Sequence, residues 1–249
     1  MKKAILAILM LGLGGRICSG QTVRVGLEYF PPLIIDKERG YTVLMLKEIE
    51  KNSDLQFDIS IMTYARAKAE LKAKRVDLIG HTPLAQEVPE FYSYAVELDW
   101  SILTKLDLFS KTSEFVYPDE FKTLKSIGVP IGNKDFFAGL LGIAPGKIKE
   151  YTDLTRMVRL LGMGRLEGVV FERASIMRTI EKHKIEGIHY RMAMPNLLPA
   201  GLAVQNSAAG SVLREKLDAL LAKLNTQKYF GGYLKYLSLP DRGVVSVGR

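Results

Sequence analysis

Residues 22–62 read TVRVGLEYFPPLIIDKERGYTVLMLKEIEKNSDLQFDISIM, and the order of elements in this stretch decides the fold. TVRVGLEYF has the composition of a strand that runs into a loop, where Pro31 and Pro32 fix the backbone. YTVLMLKEIEKN places Val43, Leu46 and Ile49 at helical spacing. LQFDISIM alternates with period two, as a half-buried strand does. A strand, a helix and a second strand in this order predict a parallel pair with a crossover helix.

The pattern continues outward. ARAKAELKAKR is helical by propensity and VDLIG is a short buried strand. A second unit begins near residue 102. It holds the strand SIGVPIG, a helix from Asp135 to Leu141, and a helix over DLTRMVRLLGMG with Thr152 as its N-cap. The strand LEGVVF, the helix RASIMRTIEKHK and the strand IHYRMAM follow. Then come the strand PAGLAVQ and the helix SVLREKLDALLAKLN, with an apolar stripe of Val212, Leu213, Leu217, Leu220, Leu221 and Leu224. A last helix, YFGGYLKYL, is expected to pack against the first unit.

At the N-terminus Lys2 and Lys3 precede a short apolar run from Ala4 to Gly15, and small residues Ser19 and Gly20 follow. A membrane-spanning helix needs about 20 apolar residues, whereas a signal-peptide core needs about 7–15. Residues 1–20 are therefore expected to be a cleaved export signal, which places the mature chain in the periplasm. The single cysteine, Cys18, falls inside it, so the mature chain has no thiol or disulfide chemistry. Loss of Lys2, Lys3 and Arg16 lowers the formal net charge from +8 to +5. That mild, dispersed charge argues for solubility and against nucleic-acid binding.

The catalytic and metal motifs are missing. His81, His183 and His189 are scattered, and no HExxH, CxxC or GxSxG is present. The glycines of SIGVPIGNK and LLGMGRLEG complete neither a phosphate loop nor a dinucleotide fingerprint. No cofactor and no metal are expected.

Four stretches together resemble the bacterial extracellular solute-binding proteins of family 3, the polar amino-acid type, in a divergent form. They are residues 28–59, with the aromatic–Pro loop; TYARAKAELKAKRVDLIGHTP (63–83); TDLTRMVRLLGMGRLEGVVFE (152–172); and PAGLAVQNSAAGSVLREKLDALLAKL (199–224). The resemblance implies an α/β, two-lobed periplasmic-binding-protein-like fold of type II. Each lobe would hold a mixed, mostly parallel sheet with helices on both faces, and two crossovers would join them. The first lobe would comprise residues 22–97 and 199–249, and the second residues 98–198.

The chain is expected to be a monomer without enzymatic activity. It would close on a small polar solute, amino-acid-like or a small organic ion, and present it to an ABC-type membrane permease. A membrane sensor is the alternative partner. A dehydratase on the same fold is a further alternative, with Glu28 or Glu172 as its acid, and a desolvated cleft carboxylate without a cationic partner would favour it.

The ligand-binding residues expected are Tyr29, Phe30, Arg66, His81, Thr82, Asn133, Lys134 and Glu172. Tyr29 and Phe30 can sandwich a ligand or hold a cation. His81 and Thr82 end a strand, where open α/β sheets carry their sites. Asn133 and Lys134 sit at a helix N-terminus, whose N–H groups favour anions. In amino-acid binders an Arg follows the Thr-Pro pair and clamps the ligand carboxylate. Here HTPLAQEVPE offers Gln86 and Glu87 instead. Arg66 either replaces that charge or forms a salt bridge on its own helix. Glu172 either holds a ligand amino group or caps its helix.

Overall fold

The computed structural model describes residues 20–112 and 123–248. The leader expected over residues 1–20 lies, apart from Gly20, outside these residues.

β1 (Gln21–Leu27), β2 (Leu55–Ile61), β3 (Leu78–Pro83), β4 (Ala95–Thr104) and β10 (Leu198–Gln205) form one sheet in the order β2-β1-β3-β10-β4. β5 (Leu106–Ser110), β6 (Ile127–Pro130), β7 (Ile148–Tyr151), β8 (Gly168–Glu172), β9 (His189–Met192) and β11 (Arg242–Val244) form a second, ordered β11-β9-β5-β8-β6-β7. Both sheets are mixed. β1 pairs parallel with β2 and β3, and β6 pairs parallel with β7 and β8, as the strand–helix–strand reading requires. The strands that travel between the sheets join antiparallel: β10 on β3 and β4, and β5 on β8 and β9.

The helices are α1 (Tyr41–Lys51), α2 (Tyr64–Lys72), α3 (Lys134–Leu141), α4 (Leu154–Gly162), α5 (Arg173–His183), α6 (Ala208–Lys223) and α7 (Gln227–Leu237). α1 buries Val43, Leu46 and Ile49, which stand at helical spacing, together with Met45. It starts at Gly40, whose φ of 123° and contact with the Leu33 carbonyl leave no room for a Cβ. α4 is capped by Asp153, which accepts from the amides of Thr155 and Arg156, and not by Thr152. α6 buries Leu213, Leu217 and Leu221, but Val212, expected in the stripe, is 65% exposed.

Two elements depart from expectation at the C-terminus. α7 packs against both halves of the molecule: Phe230 meets Tyr41 of α1, and the Tyr233 hydroxyl donates to Glu172 of β8. β11 joins β9 in the second sheet, although residues 199–249 were expected in the first lobe. A buried ion pair explains this. Arg173 makes bonds of 2.6 and 2.9 Å to Asp107 and also donates to the carbonyls of Leu239 and Pro240. Lys105 adds bonds to Asp241 and to the Leu237 carbonyl, so the chain end is held on the second sheet.

Candidate ligand cleft

The carboxyl ends of β1, β3, β6, β7 and β8 face one crevice, the place where open α/β sheets form their sites. Two cavities occupy it. The larger, about 240 Å³, is lined by Glu28, Tyr29, Met62 and Thr63 from the first sheet's side and by Pro130, Tyr151 and Asp153 from the second's. The smaller, about 50 Å³, lies among Phe30, His81 and Thr82 on one side and Asn133, Phe137, Phe171 and Glu172 on the other. Glu28 lines both.

The two halves touch around these cavities. Lys68 of α2 donates to the Gly132 carbonyl at 3.0 Å. Gly132, at φ +89°, lies so close to Ala65 that an added Cβ would stand 2.7 Å from the Ala65 nitrogen. Phe30 meets Phe171 at a ring separation of 5.2 Å.

Glu28 follows β1 and takes one long hydrogen bond, 3.4 Å, from the Tyr64 amide at the start of α2. Burial pushes its carboxyl up to about 8, against the weaker pull of that amide and of the Lys68 charge. Glu172 is 1% exposed. It receives the amides of Ala174 and Ser175 and the hydroxyls of Ser175 and Tyr233. Burial still raises it to about 7. His81 shares a 2.8 Å bond between its Nε2 and the Thr42 hydroxyl and sits between the rings of Phe30 and Trp100. Its Nδ1 makes no hydrogen bond of ordinary geometry. Burial lowers the imidazole to about 4, only partly offset by the Ala200 backbone, so the ring is neutral near pH 7.

The expected residues divide. Tyr29, Phe30, His81, Thr82, Asn133 and Glu172 come together around the cavities. Arg66 does not: its side chain is 68% exposed and pairs with Glu70 one turn along α2. Lys134 lines neither cavity. At the α3 N-terminus, where amides were expected to favour an anion, Glu150 already accepts from Gly132 and Lys134 at 2.7 and 3.4 Å. Thr82 spends its hydroxyl on Glu97, and Asn133 its amide on the Pro130 carbonyl. Glu87, in the stretch that lacks the clamp Arg, turns inward to the Tyr64 hydroxyl and Lys68.

Sequence reasoning did not assign Tyr151, Asp153, Phe137 or Phe171 to the site. Tyr151 ends β7, Asp153 caps α4 just beyond it and Phe171 is next to last in β8, so strand-end position was the available signal for these three, whereas Phe137 lies inside α3. Among the described residues, no group of three or more His, Cys, Asp or Glu is placed to hold a metal ion.

Solved structures resemble this arrangement over most of its length. A histidine kinase sensor domain with similarity to periplasmic binding proteins matches at TM-score 0.73 and 17% identity, covering 90% of this chain and 99% of its own. This chain has the two-lobed periplasmic-binding-protein fold. A substrate-binding protein of an ABC uptake transporter from Streptococcus pneumoniae, with bound histidine, shares the fold at TM-score 0.72 and 14% identity, over 90% of this chain and 95% of that one. ArgBP from T. maritima does so at TM-score 0.67 and 21% identity, over 88% and 96%. No family model and no curated protein sequence matches the chain.

Proposed function

We propose that the chain is an exported, periplasmic binding protein, a divergent relative of the family 3 solute-binding proteins, that closes its two lobes on a small polar solute. The first lobe would hold residues 22–104, because β4 stays in the first sheet beyond the boundary expected at residue 97, with the return from residue 198, and the second would hold residues 105–197 with the strand Arg242–Val244. The observation that carries this reading is the pair of cavities lined from both sheets at their strand ends. A solute that touches both sides stabilises the closed arrangement by its differential affinity for it. The closed form would be handed to an ABC-type permease, as in the transporter protein of similar fold.

Two other readings each have an observation in their favour. Presentation to a membrane sensor is supported by the likeness to the kinase sensor domain. Acid catalysis, as in a dehydratase, is supported by Glu28, a desolvated cleft carboxyl raised to about 8 and still protonated near pH 7. Glu172 suits that role less, because both of its oxygens already accept fixed donors.

A thermal-shift screen against amino acids, amines and organic acids tests the binding reading. A ligand at 100 times its dissociation constant stabilises the fold by about 2.7 kcal/mol. Turnover of a stabilising compound would move the assignment to the enzyme. Stabilisation that is undiminished in Tyr29→Ala would argue against binding at the larger cavity.

A further inference from the structure

The charges and hydrogen-bond donors of the cleft are unequally spent. Three carboxylates, Glu28, Asp153 and Glu172, line the two cavities, and among the described residues no Lys or Arg does. The cations nearby are engaged elsewhere. Lys68 is held by Glu87 at 3.2 Å and by the Gly132 carbonyl, Arg66 pairs with Glu70, and Arg178 pairs with Glu181.

Several polar donors on the cleft walls are also engaged. At the α3 N-terminus Glu150 accepts from the amides of Gly132 and Lys134. The side chains of Thr82, Thr104 and Asn133 donate to Glu97, Leu198 and Pro130. A carboxylate ligand would lose its water here and gain no cation in return. The acceptor side is the reverse. Glu28 holds only the long bond from Tyr64, and Asp153 takes its two amides on one oxygen, Oδ1. Tyr29 and Tyr151 face the same cavity as these two acids, and ring faces attract cations.

We infer that the cleft selects an organic cation, an ammonium or amidinium group on an apolar body and without a carboxylate, with Glu28 as its counter-charge. This rests on the cleft being the ligand site. A cation beside Glu28 supplies an opposite charge and favours the ionised carboxylate. The apolar body would lie toward Phe30, Phe137 and Phe171 in the smaller cavity that Glu28 also borders.

The test is calorimetry on the purified chain with phenethylamine, butylamine and benzamidine, set against 3-phenylpropionate and phenylalanine. At least one of the three cations should bind, and the carboxylate and the zwitterion should not. Glu28→Gln, isosteric with the protonated side chain, should keep the fold and weaken cation binding at least about tenfold, the scale of one charge-assisted bond. Glu28→Asp, which keeps the charge at shorter reach, should retain part of the affinity. Binding of 3-phenylpropionate or phenylalanine that Tyr29→Ala weakens would overturn the cation class and leave the cleft reading standing. Cation binding unchanged in Glu28→Gln would overturn the role of Glu28, and no binding by any of the five would overturn the inference together with the cleft reading.

Discussion

The Nζ of Lys68 lies 3.0 Å from the carbonyl oxygen of Gly132, a hydrogen bond between a helix of the first sheet's side and a turn of the second's. This contact exists only while the halves are together. It closes a chain that begins at the buried Glu87, where the Tyr64 hydroxyl and the Lys68 ammonium both donate. A ligand that bridges the cavities and the Lys68 bond stabilise the same arrangement, so they reinforce each other.

Gly132→Ala should therefore weaken ligand affinity more than it weakens the fold. A Cβ at this position would collide with Ala65 only in the closed form, whereas the φ of +89° costs an alanine about 1 kcal/mol in either form. Lys68→Met should lower affinity roughly three- to tenfold, the value of one hydrogen bond. Small-angle scattering with ligand present should show both variants more extended than the parent. Unchanged scattering and affinity in both would mean that this contact does not contribute to closure.

Stability should depend on pH through three cleft groups. Glu28 and Glu172 have folded values raised to about 8 and about 7 from an ordinary 4.5, so the fold favours their protonated forms. Their contribution is greatest below pH 4.5 and is lost as pH rises through the folded values. His81 is lowered to about 4 from 6.5, so its contribution is full above pH 6.5 and is lost as pH falls toward 4. Between pH 4.5 and 6.5 the two carboxyls outweigh the one imidazole, so stability should peak near pH 4.5 and fall above it. Glu28→Gln should flatten the alkaline limb and raise stability at pH 8 by roughly 1–3 kcal/mol, discounted for the part of Glu28 that faces the cavity. Denaturant midpoints from pH 4 to pH 9 measure this, and an alkaline limb of the same slope in the variant would refute it.

The strand–helix–strand repeats were legible because their evidence is local. The alternation that buries Val23, Val25 and Leu27, and the helical spacing of Val43, Leu46 and Ile49, each lie within a single element. β4 and β5 were not read, since Glu97, Asp99 and Asp107 interrupt their apolar residues. Asp107 is buried only because Arg173, 66 positions away, reaches it. The α3 N-terminus looked open to an anion because Glu150 arrives from a strand 16 positions on. Strand-end logic brought Tyr29, His81, Thr82 and Glu172 to one crevice. It carried no information on which of their polar atoms were already occupied.

The pair formed by Arg173 and Asp107 should be the most sensitive polar site in the molecule. Both side chains are 0% exposed, and Arg173 also lies 5.1 Å from the ring centre of Tyr190. Arg173→Met leaves a buried carboxylate without its cation and releases the carbonyls of Leu239 and Pro240. The expected loss is about 3–5 kcal/mol, with residues 237–244 becoming the first to exchange amide hydrogens. Hydrogen exchange with denaturant unfolding tests both parts. A loss below about 1 kcal/mol would show that water or rearrangement replaces the pair.

Tyr29 and Phe30 were paired by the sequence, but their substitutions should separate. Phe30 is 7% exposed and wedged between His81 and Phe171, so its ring joins the two halves as core. Phe30→Ala should cost about 3–5 kcal/mol of stability, in the range of large-to-small core changes. Tyr29 is half-buried on the larger cavity, and its hydroxyl is raised mainly by burial, with Arg178 opposing. Tyr29→Ala removes ligand-facing area and little core, so the fold should lose under about 1 kcal/mol. Affinity should fall by roughly three- to tenfold, since an aromatic contact is worth about 0.5–1.5 kcal/mol beyond its area. Thermal unfolding of both variants, with calorimetry using a ligand from the thermal-shift screen, separates the two effects. If Tyr29→Ala destabilised the chain as much as Phe30→Ala, with ligand affinity unchanged, Tyr29 would be packing rather than binding surface, and the larger cavity would lose its aromatic wall as a recognition element.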